Sequence, residues 1–368
     1  MKTKRNVNIE CLRVVAMFMV IMLHYLGKGF HLPELTKSFG AVGVIAWILE
    51  SLSIVAVNVY FLISGFFLSG ANPKMKRLLS LICQVLFYSI LIALVALTCG
   101  LVSPAKITIY DILNWVLPIQ MKHYWFATVY VMFYLISPIL GVAIRHMSRS
   151  QLQVTLFGLL VFCSLGKSVL PVALAVDELG YDLLWFLCVY LAAAYLRLYG
   201  LSFFRTVWRG FAGYLLFTAA IFAVAMGARA LYFATQTMED YMKSLYGYNH
   251  ILNLAAAVSL FYAFYRMKES KIAAWMARIA PYTFGVYLLH EHVLLRYEWP
   301  QWVDRLFGDV MSSHVATFVF GAVISCLMVL VVGSCVDWTR VRIFAFVSRR
   351  LRHTKFNRLL DRVDQKFT

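Results

Sequence analysis

Long apolar runs alternate with short polar gaps along the whole chain. A helix needs about 20 mostly apolar residues to cross a bilayer, and roughly ten runs are long enough. They lie near residues 8–27, 43–69, 78–101, 125–145, 152–174, 182–199, 211–233, 250–267, 281–297 and 313–338. No internal repeat or low-complexity stretch divides them. The pattern predicts an all-α, polytopic membrane protein with a single bundle of about ten transmembrane helices.

The basic residues of the gaps orient this bundle. Positive charge accumulates in cytoplasmic loops, and most Lys and Arg residues fall on one side if the N-terminus is cytoplasmic. That side holds Lys2, Lys4, Arg5, Lys74, Lys76, Arg77, Arg145, Arg149, Arg197, Arg205, Arg209, Arg266, Lys268, Lys271, Arg278 and the basic residues after 339. An even number of spans returns the chain to the same side, so we expect both termini in the cytoplasm.

Composition supports a membrane protein. The chain is 62% hydrophobic and 14% charged, with a net charge of +17, whereas soluble domains are typically about 45–50% apolar and about 25% charged. The charge does not indicate nucleic-acid binding, because it lies in the gaps and at the C-terminal end. The seven cysteines lie in or beside apolar runs and form no CxxC pair, so neither a disulfide framework nor a metal site is expected.

Three ionisable residues interrupt the first apolar run: Glu10, Arg13 and His24. An ionisable residue inside a span costs about 2.5–3.5 kcal/mol on insertion scales. Arg13 and His24 are eleven positions apart, which is three helical turns, so both occupy one face about 16 Å apart. Glu10 is within reach of Arg13. The three residues outline a polar track, although anchoring of the helix and a hydrogen bond from His24 to a neighbouring helix are simpler alternatives.

The first apolar run lacks a small-residue cleavage site, so we expect a retained helix rather than a signal peptide.

The second and third runs are separated by a short cytoplasmic turn. Ser64–Phe66 comes near the end of the second run, where Gly65 permits close helix contact or ligand approach. Lys74 and Arg77 share one face at the start of the next helix. This spacing suits phosphate binding, and topology-setting charge alone is the alternative.

Two further runs carry aromatic and histidine residues. Aromatic residues crowd the outer end of the fourth run, at Tyr124 and Trp125, as an interfacial belt or as a platform for sugar rings. The run near 281–297 contains His290, Glu291 and His292. Histidines two positions apart point to different faces of a helix, so a zinc site is not expected, and one of the two could face a central cavity.

Apolar and basic residues alternate at helical spacing after residue 339. We expect residues 340–368 to form a basic amphipathic tail on the anionic cytoplasmic leaflet. Residues 1–339 are then the membrane domain.

Together these stretches resemble integral membrane acyltransferase family 3, whose members modify surface glycans. The elements that carry the resemblance are Glu10, Arg13 and His24; Ser64–Phe66; Lys74 and Arg77; Tyr124–Phe126; Tyr287–His290; and Asp337–Arg340. One departure is Lys74, where the family has Arg. Lys binds phosphate as a point charge and lacks the bidentate fork of Arg.

The resemblance implies a transmembrane O-acyltransferase. It implies transfer of an acyl group, by default acetyl, from cytoplasmic acetyl-CoA to a hydroxyl of a cell-surface or lipid-linked polysaccharide. His24 would be the catalytic base or a transient acyl carrier, supported by Arg13 and Glu10, and Lys74, Arg77 and Arg13 would bind the phosphates of acyl-CoA. The glycan or glycolipid acceptor would contact the residues Tyr124, Trp125, Tyr287 and His290. The expected setting is the lipid bilayer of a bacterial plasma membrane, with no metal and no nucleic acid.

A membrane transporter or flippase for a glycan or glycolipid, with a proton-coupled His, is the alternative function. Paired broken helices and inverted repeats are typical of that class, and neither is visible in the sequence. Consumption of acyl-CoA by membranes that contain the protein separates the two functions.

Overall fold

A computed structural model describes residues 6–170, 178–307, 314–351 and 354–366. Helices make up 78% of the described residues, which contain no strand. The helices are α1 (Val7–His24), α2 (Ala41–Ser53), α3 (Ala56–Leu68), α4 (Met75–Thr98), α5 (Ile109–Val116), α6 (Trp125–His146), α7 (Arg149–Leu160), α8 (Gly166–Val169), α9 (Leu183–Tyr199), α10 (Val207–Thr235), α11 (Glu239–Leu245), α12 (Ile251–Arg266), α13 (Lys271–Met276), α14 (Thr283–His290), α15 (Glu298–Phe307), α16 (Val315–Leu351) and α17 (Lys355–Lys366). The predicted all-α fold is confirmed.

Eight helical segments of the described chain are long and apolar enough to cross a membrane. They are Val7–Gly29, Ala41–Leu68, Met75–Thr98, Trp125–His146, Arg149–Val169, Val207–Thr235, Lys271–His290 and Val315–Arg350, and the shorter apolar helices α9 and α12 accompany them. Each of the ten predicted runs overlaps one of these segments. The count of ten spans and the cytoplasmic termini stay predictions, and Lys2, Lys4 and Arg5 lie outside the described residues.

Two predicted boundaries are wrong. The run at 281–297 is not one helix, because α14 ends at His290 and a turn leads into α15 at Glu298. The polar residues after Leu289 form side-chain contacts that a continuing helix would not allow, as described below. The last run does not end at residue 338, because α16 continues to Leu351. The separate tail at 340–368 stays a prediction; its helix α17 packs against α4.

Helix α1 lies at the centre of the bundle. It packs against α2, α3, α12, α13, α14 and α16, and Ile9, Leu12, Ala16 and Ile21 are completely buried. The surrounding helices expose large apolar side chains outward, among them Leu94, Ile139, Phe157 and Phe320. Burial inside and apolar exposure outside are the arrangement that a lipid environment favours. The ionisable residues of α1 therefore lie among protein groups rather than lipid.

Close contact and a buried asparagine join α3 to α9. A Cβ on Gly65 would lie 2.9 Å from the Cβ of Ala193, so glycine permits the helices to approach. The Asn58 side chain donates to the Tyr248 carbonyl at 2.7 Å and accepts from Trp185 Nε1 at 2.9 Å. One intramembrane amide thus joins three segments of the chain.

Tyr134, one turn before a proline in α6, fixes the start of α4. Pro138 lies inside α6 and has no N–H to give the Tyr134 carbonyl, but the Ser137 hydroxyl donates to that carbonyl at 2.7 Å. The Tyr134 hydroxyl in turn accepts from Lys74 N at 2.8 Å and donates to the Lys74 carbonyl at 3.0 Å. The basic turn before α4 is therefore held against α6.

A charged pair joins α4, α14 and α16. The Arg340 side chain donates to the Asp337 carboxylate at 2.7 and 2.9 Å, and Tyr88 donates to the same carboxylate at 2.9 Å. Asp337 is completely buried, and Arg340 is 8% exposed. The carboxylate lies directly against Gly285 of α14, where a Cβ would come within 2.0 Å of Asp337 Oδ1. Glycine at this position allows α14 to pack on the pair.

Gly285→Ala is expected to destabilise the protein, because α14 and the buried carboxylate would have to separate. Overpacking of this kind costs about 1–3 kcal/mol. The midpoint of thermal unfolding of purified protein in detergent, followed by tryptophan fluorescence, measures the effect.

Gly227→Ala is the matched control, since a Cβ there meets no atom within 4 Å. Removing a glycine from a helix interior gains about 0.5–1 kcal/mol, so this variant should unfold at or above the wild-type midpoint. Equal midpoints for the two variants would contradict the packing described for Gly285.

Candidate active site

The last turn of α1 meets the last turn of α14 through two histidines. His24 Nδ1 lies 2.9 Å from His290 Nε2. His290 Nδ1 lies 2.6 Å from the Val286 carbonyl oxygen, one turn back in its own helix. His290 is 3% exposed, and among the described residues each of its ring nitrogens has one hydrogen-bond partner.

The backbone carbonyl determines which ring nitrogens carry protons. A carbonyl oxygen only accepts, so His290 Nδ1 donates to Val286 and, in the neutral ring, His290 Nε2 accepts. His24 Nδ1 must then donate to His290. This leaves Nε2 of a neutral His24 unprotonated and available as a base.

A carboxylate and two cations complete the surroundings of His24. Glu291 Oε2 lies 3.2 Å from His24 Nδ1, and the same carboxylate pairs with Lys28. Arg296 Nη1 lies 3.8 Å from Glu291 Oε1. Lys28 follows His24 by one π-helical turn (Tyr25–Gly29), which keeps it on the His24 side of the helix. Glu291 can therefore stabilise a positive charge on His24 when the ring accepts a proton.

Two other histidines hold the turn that carries Glu291. His123 Nδ1 donates to the Asn114 carbonyl at 3.2 Å, and its Nε2 accepts from Val293 N at 3.4 Å. His292 Nε2 donates to the Ser89 carbonyl at 3.1 Å, while its Nδ1 accepts from Leu294 N at 3.2 Å. Both rings use both nitrogens, which indicates a structural role. The described residues contain no group of three or more His, Cys, Asp or Glu side chains that could hold a metal.

An apolar cavity of about 50 Å³ opens beside His24. Its walls are Met17, Val20, Leu23, His24, Val57, Tyr60, Trp125, Phe126, Tyr248, Phe284 and Tyr287. Trp125 and Tyr248 stack with ring planes 17° apart and centroids 5.8 Å apart. The histidine base thus faces an aromatic chamber that is large enough for a few water molecules.

The inner end of α1 carries the remaining residues of the predicted polar track. Arg13 Nε lies 3.8 Å from Glu10 Oε2, one helical turn away, and their side chains are 24% and 18% exposed. The Tyr60 hydroxyl donates to the Arg13 carbonyl at 2.6 Å. Since Tyr60 also lines the cavity, α3 connects the Arg13 turn to the chamber of His24.

A cleft of about 520 Å³ lies at the start of α4, bounded by Lys74, Lys76, Arg77, Asp361, Asp364 and Gln365. Asp364 Oδ1 accepts from Met75 N at 2.6 Å, and Asp361 pairs with Lys76 at 2.5 Å. Carboxylates of α17 therefore occupy the same helix N-terminus and basic residues that would attract a phosphate. The side chains of Lys74 and Arg77 are exposed.

The structure brings some predicted residues together and separates others. His24, Trp125 and Tyr287 line one cavity, and His290 bonds to His24. Tyr124 does not line that cavity; it is completely buried, and its hydroxyl donates to the Leu288 carbonyl at 3.0 Å. Arg13 is not among the residues that bound the cleft of Lys74 and Arg77.

Sequence reasoning assigned no role to Glu291, Lys28 or Arg296. The one available signal for Glu291 was its position between two histidines in an apolar run. Lys28 and Arg296 looked like ordinary charges at helix ends, and only the fold shows that both approach one carboxylate.

Comparison with known proteins gives one match. A family model for an acyltransferase domain, Acyl_transf_3, matches residues 6–336, a range that contains the histidine pair and the basic turn before α4. Searches of curated proteins and of solved structures found no match. The chain therefore belongs to acyltransferase family 3 and is a membrane acyltransferase.

Proposed function

We propose that this protein is a transmembrane O-acyltransferase that moves an acyl group, by default acetyl, from cytoplasmic acyl-CoA to a hydroxyl of a cell-surface or lipid-linked polysaccharide. The observation that carries the proposal is the protonation pattern of the histidine pair, which leaves Nε2 of His24 as a free base at an enclosed aromatic chamber. We place the protein in a bacterial plasma membrane, where both substrates meet.

General base catalysis by His24 accounts for the chemistry. The acceptor hydroxyl oxygen attacks the thioester carbonyl carbon while its proton passes to His24 Nε2. The carbon–sulfur bond then breaks, and the proton moves from the imidazolium to the leaving thiolate, so that free CoA and the O-acyl ester result. Transient acylation of His24 itself is the second route.

Glu291 and His290 support the proton transfer. When His24 Nε2 accepts a proton, the ring becomes positive, and the Glu291 carboxylate oxygen 3.2 Å from its Nδ1 stabilises that charge. The Nδ1–H itself stays donated to His290. His290 holds the ring orientation through its bond to the Val286 carbonyl.

The cytoplasmic cleft suits the phosphates of acyl-CoA. Lys74 and Arg77 present exposed cations beside a helix N-terminus, the combination that favours phosphate. Asp364 already accepts from Met75 N, and Asp361 pairs with Lys76. The phosphates would therefore compete with these carboxylates of α17. Arg13 lies along α1 between the cytoplasmic end and the chamber, where it can guide the thioester arm.

The outer chamber suits a sugar. Aromatic faces at Trp125, Tyr248 and Tyr287 line it, and aromatic rings pack against the apolar faces of sugar rings. The mostly apolar lining of the chamber would limit the access of water to the thioester during reaction.

Transport of a glycan or glycolipid by a proton-coupled His remains the competing function. The break between α2 and α3 and the early end of α14 are irregularities that transporters also contain. The family match favours acyl transfer. Translocation of labelled glycolipid without use of acyl-CoA would favour transport.

His24→Ala should abolish acyl transfer while the protein still inserts, because the base is lost. Removal of a general base lowers the rate by about 10²–10⁴-fold. Inverted membrane vesicles supplied with labelled acetyl-CoA measure the label that reaches lumenal glycan or lipid-linked sugar.

His146→Ala is the matched control, since His146 is exposed at the end of α6. It should transfer label like the wild type. Wild-type transfer by His24→Ala would exclude His24 as base and as acyl carrier. Absence of label in all three proteins with intact insertion would count against acyl transfer and would lead to the glycolipid test.

Arg77→Ala should raise the apparent KM for acetyl-CoA about tenfold or more, because a charged hydrogen bond contributes about 1.5–3 kcal/mol. Asp364→Asn should lower it, because a competing carboxylate loses its charge. Initial rates at varied acetyl-CoA and fixed acceptor measure both changes.

Arg205→Ala, an exposed cytoplasmic arginine, serves as the control and should leave that KM unchanged. If Arg77→Ala alters the KM for acceptor more than the KM for acetyl-CoA, the cleft is not the donor site.

A further inference from the structure

The charges around His24 do not balance. Lys28 and Arg296 both face the Glu291 carboxylate, so two cations share one anion. The other groups in contact with His24 are His290 and the aromatic walls, which are neutral in the protonation pattern described above. The cluster therefore has one excess positive charge while His24 is neutral.

Arg296 has donors left for a ligand. Its Nη1 lies 3.8 Å from Glu291 Oε1, which is beyond hydrogen-bond distance. Its Nε is buried and has no hydrogen-bond partner among the described residues. The side chain is 31% exposed, against 6% for Glu291, so a ligand can reach Arg296 more readily than the carboxylate. The guanidinium lies over the Tyr297 ring at 5.2 Å, but its Nε–H lacks an acceptor in the described part of the chain, and a ligand at this position could supply one.

The reaction increases the imbalance. Proton uptake by His24 adds a second excess positive charge beside the carboxylate that Lys28 and Arg296 already share. Like charges repel strongly in a buried setting, where the effective dielectric constant is low. A negative group beside Arg296 would remove one excess charge and thereby support protonation of His24. The same group would satisfy the free guanidinium donors.

We infer that the acceptor carries an anionic oxygen group, a carboxylate or a phosphate, which Arg296 and Lys28 bind while the neighbouring hydroxyl faces His24. This inference rests on the proposed function and names its acceptor class as an anionic glycan. The anion comes either from a uronic acid in the glycan or from the phosphate of a lipid-linked sugar. Guanidinium groups bind both through parallel N–H donors.

Three small acceptors separate these sources: methyl glucoside, methyl glucuronide and glucose 1-phosphate. Wild-type protein in nanodiscs of uncharged (zwitterionic) phosphatidylcholine is tested for binding by the shift of its unfolding midpoint, and for transfer of label from acetyl-CoA. We expect at least tenfold tighter binding of one or both anionic sugars than of methyl glucoside. Preference for the glucuronide identifies a uronic acid, and preference for glucose 1-phosphate identifies a lipid-linked sugar.

Arg296→Gln should remove this preference. Binding of the anionic sugars should weaken about 10–100-fold, the effect of one charged hydrogen-bond pair, and binding of methyl glucoside should change little. Arg296→Lys keeps the charge and should retain part of the preference, which separates loss of binding from misfolding. Arg305→Gln is the matched control, because Arg305 is exposed on α15, and should behave as the wild type.

The outcomes for the inference and for the proposed function differ. Equal binding of all three sugars by the wild type, binding of none, or equal losses for charged and neutral sugars in Arg296→Gln would each overturn the anion site. Selective binding of an anionic sugar without transfer of label would support the anion site and count against the acyltransfer reaction on that acceptor.

Discussion

A polar group inside a bilayer has no water to bond with, so it must find its partner within the protein. That constraint places the chemistry of this bundle. His24 is oriented by His290, which is oriented in turn by a carbonyl of its own helix. Glu291 faces His24 because Lys28 and Arg296 require a counter-charge. The hydrogen bonds of its neighbours thus determine which ring nitrogen of His24 is unprotonated.

The same constraint separates two kinds of site along α1. Near the N-terminal end of α1, exposed cations and carboxylates bound a broad cleft, where hydrated charges are tolerated. At the C-terminal end of α1, an aromatic chamber lies beside a small number of paired charges. Helix α1 connects them, and Tyr60 contacts both the Arg13 turn and the chamber wall. Polarity therefore falls along α1 from the cleft to the chamber.

The sequence predicted the helices well because apolar length alone identifies a span. It also singled out Arg13, His24, Lys74 and Arg77, since charges in or beside apolar runs are costly and therefore conspicuous. It failed where tertiary contacts decide the outcome. The end of α14 at His290 depends on His123 and Ser89, which are far away in the chain. The cluster of Lys28, Glu291 and Arg296 joins residues whose local sequence gives no sign of a common partner, and the cover that α17 forms over the cleft has no local signal either.

Long separations between partners have a consequence for synthesis of the protein. His24 and His290 are 266 residues apart, and Tyr88 and Asp337 are 249 apart. Asn58 and Trp185 are 127 residues apart. The ribosome releases these helices in order, so the first one enters the membrane long before its partners exist. Its ionisable side chains must be sheltered in the interval by the insertion machinery, by bound water or by the lipid headgroups. His24, on the central helix, therefore waits for His290 and Glu291, which belong to one of the later segments to emerge.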